Sequence, residues 1–295
     1  MKTLFFRAFT AVYLAIVGLS LSLSAGEGDP AATPPATPPA AAPAESDPVA
    51  LVTASQKAFL YAAKDLKARI TMVLFDKDGK TRNRVMTMLR RNADQGDDQK
   101  YFIYFHEPGD VRGMTFMVFK YLNKEDDRWL FIPAVDLVKH IAASDSRSSF
   151  VGSDFTYEDV SGRDIDADTH TLVRSEKLGD RDCYVVQSIP KTSVEYTKKL
   201  VWIDKQNKLP LKEEYYDAQN ELYRTFSADK VEDVAVGEGA DKKMVPTITK
   251  RSMKNLKNGH HTEVTFDTIA YNLGLKDEDF SERRLRQPPK EWTAK

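Results

Sequence analysis

Hydrophobic positions recur at two different periods along this chain, and the change of period divides it. Ser46-Asp47-Pro48 sets a capping side chain ahead of a proline, which is a helix start. Val52, Ser55, Phe59, Ala62 or Ala63, and Leu66 follow at three- and four-residue steps and predict one amphipathic helix over 48–67. From residue 68 onward the period drops to two. Strands are predicted over 68–75 and 81–91, flanking Asp76-Lys77-Asp78-Gly79-Lys80, whose Asp-Gly pair is a hairpin signal. Runs rich in aromatic and β-branched residues continue at 101–106, 114–121 and 128–132. Further strands at 169–176, 182–189, 195–204, 209–216, 221–234, 244–253 and 261–271 are separated by turns rich in Gly, Asn and Asp. The fold class is mainly β (α+β): a curled antiparallel sheet of about 11 strands with an N-terminal helix covering one face. So long a run of antiparallel strands must curl or close to manage its edges, and there is no strand–helix alternation to build an α/β sheet. Residues 145–162 interrupt the rhythm. Thr156 to Asp159 has the spacing of a capping box, so this stretch reads as a short helix in an irregular lid or plug.

The N-terminal stretch follows a different rule. Lys2 and Arg7 precede an uncharged apolar run from Ala8 to Leu23, and small residues follow at Ser22, Ser24 and Ala25. This is the layout of a cleaved secretory signal over 1–25; the rival reading is a membrane-spanning helix. Residues 26–47, with the repeats ATPPATPPAAAPA, have no large apolar side chains to bury and are expected to form a disordered linker. Residues 48–295 are then one domain. The single cysteine, Cys183, is far from the expected cut, which argues against an acyl anchor on the chain itself and excludes an internal disulfide. Formal net charge is −1 with acids and bases mixed, so no basic block points to nucleic acid.

Several motifs together resemble the LolA-like outer-membrane lipoprotein-sorting proteins. They are Phe105-His106-Glu107-Pro108, Gly109-Asp110-Val111-Arg112-Gly113, Trp129 to Pro133, the block from Phe150 to Asp159, Trp202-Ile203-Asp204 with Pro210, Tyr215-Tyr216-Asp217, and Leu275 to Phe280 with Leu285. The resemblance covers about residues 50 to 290. It implies an unclosed β-barrel with helices over one face and an apolar hollow between them, which in relatives shields lipoprotein acyl chains crossing the periplasm. It also implies, as partners, lipoprotein acyl chains or lipid, an inner-membrane transporter and an outer-membrane acceptor, with no cofactor. Longer relatives of this type often accompany efflux-type transporters. A non-enzymatic docking subunit of such a transporter is therefore the alternative to a periplasmic carrier.

The candidate cavity lining is Met72, Met86, Met88, Phe102, Phe116, Val118, Trp129 and Phe131, on strands that read as apolar on both faces. Methionine repacks around cargo of varied shape; the competing reading of each residue is ordinary core. The candidate signature loops are Gly109, Asp110, Arg112 and Gly113, and Phe150, Gly152, Ser153, Asp154 and Phe155. The acidic run Asp154, Glu158, Asp159, Asp164, Asp166 and Asp168 lacks the ligand spacing of a calcium loop. The five histidines are scattered and no nucleophile motif occurs, so neither a metal site nor a catalytic residue is expected. An acyl chain of about a dozen methylenes, at about 0.8 kcal/mol each, would gain on the order of 10 kcal/mol on burial. Release then needs a competitor, and the helix at 48–67 is the candidate lid.

Overall fold

A computed structural model describes residues 47–293 apart from 122, 123 and 238. The signal segment expected over 1–25 and the linker over 26–47 lie outside the described residues, except for Asp47, which caps the first helix. Its carboxylate accepts from the Val49 N–H at 3.0 Å, and Pro48 occupies the first turn of α1 (Pro48–Leu60).

That helix is shorter than its periodicity suggested. Ala63 adopts φ of 60°, and Asp65 already begins a strand. Leu66 satisfies both a helical step and the alternating set Leu66, Ala68, Ile70, Met72, Leu74, all of which are buried. Pairing decides between them. The Asp65 carboxylate accepts the backbone N–H groups of Leu273, Gly274 and Leu275 at 2.6, 2.9 and 3.0 Å, which pins the start of the strand to the far end of the chain.

Thirteen strands follow: β1 (Asp65–Phe75), β2 (Thr81–Asn92), β3 (Gln99–Glu107), β4 (Thr115–Lys120), β5 (Asp127–Ile132), β6 (Leu137–His140), β7 (Asp168–Leu178), β8 (Arg181–Pro190), β9 (Lys198–Asp204), β10 (Pro210–Tyr216), β11 (Leu222–Val236), β12 (Lys243–Asn255) and β13 (His261–Tyr271). They form one antiparallel sheet in the order β6-β5-β4-β3-β2-β1-β13-β12-β11-β10-β9-β8-β7. Two meanders are thus joined where β1 pairs with β13, and the free edges are β6 and β7, so the barrel stays unclosed. The edge strand β6, absent from the predicted set, is only four residues long and largely exposed. The hairpin between β1 and β2 is as expected: the Asp76 carboxylate accepts from Asp78 and Lys80 N–H, both at 2.9 Å, and Gly79 takes φ of 79°.

The segment between β6 and β7 crosses the inner face. Phe150, Phe155 and Tyr157 insert into the main core beside Phe105 and Phe116, with ring centroids of Phe116 at 5.3 Å from Phe150 and 5.2 Å from Tyr157. The expected short helix is present as α2 (Tyr157–Ser161), closed by a Thr156–Asp159 capping box. The opposite face of β2–β5 is covered by the C-terminal segment, whose Leu275, Phe280 and Leu285 pack on Leu89, Phe102, Met117 and Phe131. A third cluster sets Leu51 of α1 on Tyr184, Val186, Val201 and Ile203.

Candidate functional site

Vacant volume lies beneath α1. A cavity of about 130 Å³ is bounded by one side of that helix (Val52, Gln56, Phe59), by the stretch from Phe155 to His170, and by inward residues of β8–β12, among them Val201, Ile203, Tyr215, Phe226, Arg251 and Met253. A second space of about 50 Å³ continues past Phe59, Leu60 and Arg251 to Met88, Tyr101, Ile248 and Phe266. A shallower hollow of about 660 Å³ on the β10–β12 side is edged by Lys212, Glu214, Asp229, Lys230 and Lys254, a lining suited to water rather than hydrocarbon.

The roof is held unevenly. At its C-terminal end, backbone carbonyls are gripped from β2 and β3: Arg90 donates to the Ala62 oxygen, Gln99 to Leu60 at 2.8 Å, and Asn92 to Tyr61 and Ala63 at 3.0 and 2.7 Å. Along its length, Gln56 Nε2 donates to the Arg163 carbonyl at 2.8 Å. Leu60 lies so close to Gly162 that a β-carbon there would sit 2.5 Å from Leu60 Cδ1. Gly162 also has φ of 85°, so a side chain is disfavoured twice. Toward its start, α1 is held through the packing of Leu51.

The walls are polar for a barrel interior, and each of their acids named next has a basic partner. Arg163 reaches Glu158 at 3.2 Å and Asp168 at 2.9 Å, Arg224 pairs with Asp159, and Lys199 lies 3.7 Å from Glu213. Burial pushes the Glu158 carboxyl up, against the pull of Arg163. Burial also acts to raise Asp159, but Arg224 and the Thr156 N–H outweigh it and hold that carboxyl below its ordinary value. Tyr196 and Tyr215 are pushed upward chiefly by burial, against Arg163 at Tyr196 and with Glu213 at Tyr215, so both phenols stay neutral. His170 uses both ring nitrogens, toward Ser188 Oγ at 2.8 Å and the Ile165 oxygen at 2.9 Å. Among the described residues no group of three or more potential ligands could hold a metal ion.

A family model described as "Uncharacterized protein" matches residues 97–287, more than half of the chain. No curated protein matches. Among solved structures, a domain described as an outer membrane lipoprotein-sorting protein from Vibrio parahaemolyticus is 28% identical over 81% of this chain and 98% of its own, with a TM-score of 0.71. A DUF1329 family protein from Desulfovibrio piger is 26% identical over 80% of this chain and 95% of its own, at 0.70. The chain belongs to the family of that model, and its structural neighbours are proteins of the LolA-like type. A LolA superfamily protein from Nitrosomonas europaea, 18% identical with a TM-score of 0.60 over 80% of this chain and 98% of its own, shares the fold.

The LolA-like signature residues serve largely to build that fold. Phe150 and Phe155 are the plug. Ser153 Oγ donates to the Phe150 carbonyl at 2.7 Å, Gly152 takes φ of 79°, and Asp154 Oδ2 accepts from Thr262 Oγ1 at 2.7 Å. In the loop between β3 and β4, Gly113 takes φ of 80° and lies against Pro133, and Arg112 donates to the His106 carbonyl at 3.2 Å. Gly109 has open space around its α-carbon, and Asp110 stands exposed, 3.7 Å from Arg84.

The eight sequence-derived lining candidates divide. Met72, Met86, Met88, Phe116 and Val118 belong to the inner cluster, but only Met88 borders one of the spaces under α1. Phe102, Trp129 and Phe131 point the other way, into the cluster beneath the C-terminal segment. Strand parity accounts for this, because Phe102 and Phe131 are out of phase with Tyr101, Ile103 and Leu130. Sequence reasoning missed the charged wall residues. The available signal was Arg224 and Arg251, each two residues from an inward-facing apolar partner, Phe226 and Met253.

Proposed function

We propose that this chain is a periplasmic, non-enzymatic carrier that takes acyl chains of lipids or lipoproteins beneath α1 and passes them toward the outer membrane. An inner-membrane donor and an outer-membrane acceptor would stand at the two ends of that route. The observation that carries the reading is the cavity under a helix anchored firmly at one end only. A cavity of about 150 Å³ accommodates a benzene-sized molecule, so 130 Å³ is far too small for a long acyl chain. Loading therefore requires α1 to lift, pivoting about the Leu60–Ala63 carbonyls that Arg90, Asn92 and Gln99 hold.

The same movement supplies release. Lifting α1 exposes Leu51 and Phe59, and their reburial at about 1.5–3 kcal/mol each offsets part of the free energy of cargo burial. No helix among the described residues is long and apolar enough to cross a membrane. The test is native mass spectrometry of protein purified from envelope fractions, followed by extraction and identification of what co-purifies. Bound lipid, displaced on adding a longer acyl competitor, is expected. A disulfide pinning α1 to the sheet should abolish loading; loading at the unmodified rate in a pinned protein would sink the lid.

A further inference from the structure

Among the described residues, one cation beneath α1 has no ion-paired partner. Arg251 is 8% exposed and borders both the 130 Å³ and the 50 Å³ spaces. Its guanidinium carbon lies 5.3 Å from the ring centre of Phe59, 5.4 Å from Phe155 and 5.3 Å from Phe266, and its Nε has no hydrogen-bond partner. The acids of the wall are committed elsewhere: Glu158 and Asp168 to Arg163, Asp159 to Arg224, Glu213 to Lys199, Asp164 to Lys120 at 3.2 Å and Glu195 to Arg147 at 3.0 Å. The other buried arginines whose Nε is unbonded each have a hydrogen-bonded or ion-paired partner: Arg84 has Asn83 and Asp110, Arg90 has Ala62 and Arg128 has Asp126. Among the described residues Arg251 has ring faces in contact and no hydrogen-bonded or ion-paired partner; Asp159 and Glu213, each paired with another cation, act on it only through space.

A buried cation is costly unless a partner compensates for lost hydration, and aromatic faces compensate in part. What they leave open is the fork of a guanidinium, whose geometry matches the two oxygens of a carboxylate or phosphate. We infer that Arg251 is an oxyanion receptor inside the cavity, binding the compact anionic head of a single-tailed amphiphile whose apolar tail runs out along α1. This rests on the carrier reading and adds the cargo's chemistry and orientation to it. Burial brings the guanidinium down to about 10, which leaves it charged at neutral pH. Phe59 and Phe155 flank both the charge and the tail path, so head and tail are recognised by adjoining surfaces.

The experiment compares decanoate, decyl phosphate, decanol and inorganic phosphate on the purified full protein, stripped of lipid on a hydrophobic resin, by calorimetry at pH 7.5. Decanoate and decyl phosphate should bind at least about ten-fold tighter than decanol, the size of effect a charge-assisted hydrogen bond gives. In Arg251→Met that preference should fall to within about two-fold. That variant should melt no lower than wild type, since it removes an uncompensated buried charge. Should Arg251→Met not fold, Arg251→Lys keeps the charge without the fork and is expected to show a reduced preference. Equal binding of decanol and decanoate to wild type overturns the inference while leaving the carrier reading intact. Inorganic phosphate binding as tightly as decyl phosphate also overturns it, by making the site one for a free anion. Failure of every tailed probe defeats both readings together.

Discussion

The two halves of the sheet are built on opposite principles. On β1–β5 the inner face is filled except beside Met88 and Tyr101: Met72, Met86, Ile103 and Phe105 share one cluster, and Phe150 and Tyr157 from the crossing segment complete the packing on Phe116. On β8–β12 the inner face carries Arg224, Glu213 and Arg251 among Val201, Ile203 and Phe226, and there the space beneath α1 remains. Flexible apolar side chains interdigitate to the density of an organic crystal and leave no room. Charged pairs need fixed distances and angles, so they hold their walls apart instead of collapsing. In this protein the larger vacant volume lies in the polar half of the interior, and only the smaller space reaches Met88 and Tyr101 of the filled half.

The largest effect should come from the filled half. Phe116→Ala removes a fully buried ring that touches two others and should cost about 3–5 kcal/mol in urea unfolding. Acyl binding by the molecules that remain folded should be little changed, and a large loss of binding at unchanged stability would move the cargo to this half. Next comes the wall pair. Asp159→Asn strips Arg224 of its carboxylate and weakens the cap of α2, with an expected loss of about 2–4 kcal/mol at pH 7. The Asp159 carboxyl is held below its ordinary value in the folded state, against the opposing effect of burial. Its contribution is therefore fully present above about pH 4 and disappears as pH falls through the lowered folded value. The stability gap between wild type and Asp159→Asn should accordingly close on acidification, and a constant gap down to about pH 2 would argue against an ion-pair origin. A smaller loss, about 1–3 kcal/mol, is expected for Gly162→Ala, which places a β-carbon at positive φ and against Leu60. Thermal melting reads the loss, and amide exchange should show α1 loosened more than β1–β5.

The same contrast explains what could be read from the sequence. Antiparallel strands in hairpin order, the Asp76–Lys80 turn and the Thr156–Asp159 box are local patterns, so they could be read directly. The helix end could not. Leu66 satisfies both periods, and the arbiter, Asp65 bound to the backbone of residues 273–275, is more than two hundred residues away in sequence. The lining candidates followed apolar character, which marks where a protein is packed. Phe102, Trp129 and Phe131 have that character because the C-terminal segment lies over them. The wall of the actual space is spelled by arginines at inward positions of β11 and β12, which composition alone assigns to solvent.

The gentlest perturbation bears most directly on how the space is reached. Gln56 donates from α1 to the Arg163 carbonyl, linking the helix to the stretch that follows α2. Gln56→Ala removes that bond without touching the clamp on Leu60–Ala63, and the expected loss is about 0.5–1.5 kcal/mol. If α1 is an independent lid, this loss is concentrated in its opening equilibrium. Loading of a fluorescent acyl probe should then accelerate by about three- to ten-fold, while the urea midpoint moves little. If instead α1 is a fixed part of the core, the same free energy appears in global unfolding and the loading rate stays where it was. The ratio of the two effects, rather than either alone, separates a roof that lifts from a wall that happens to be helical.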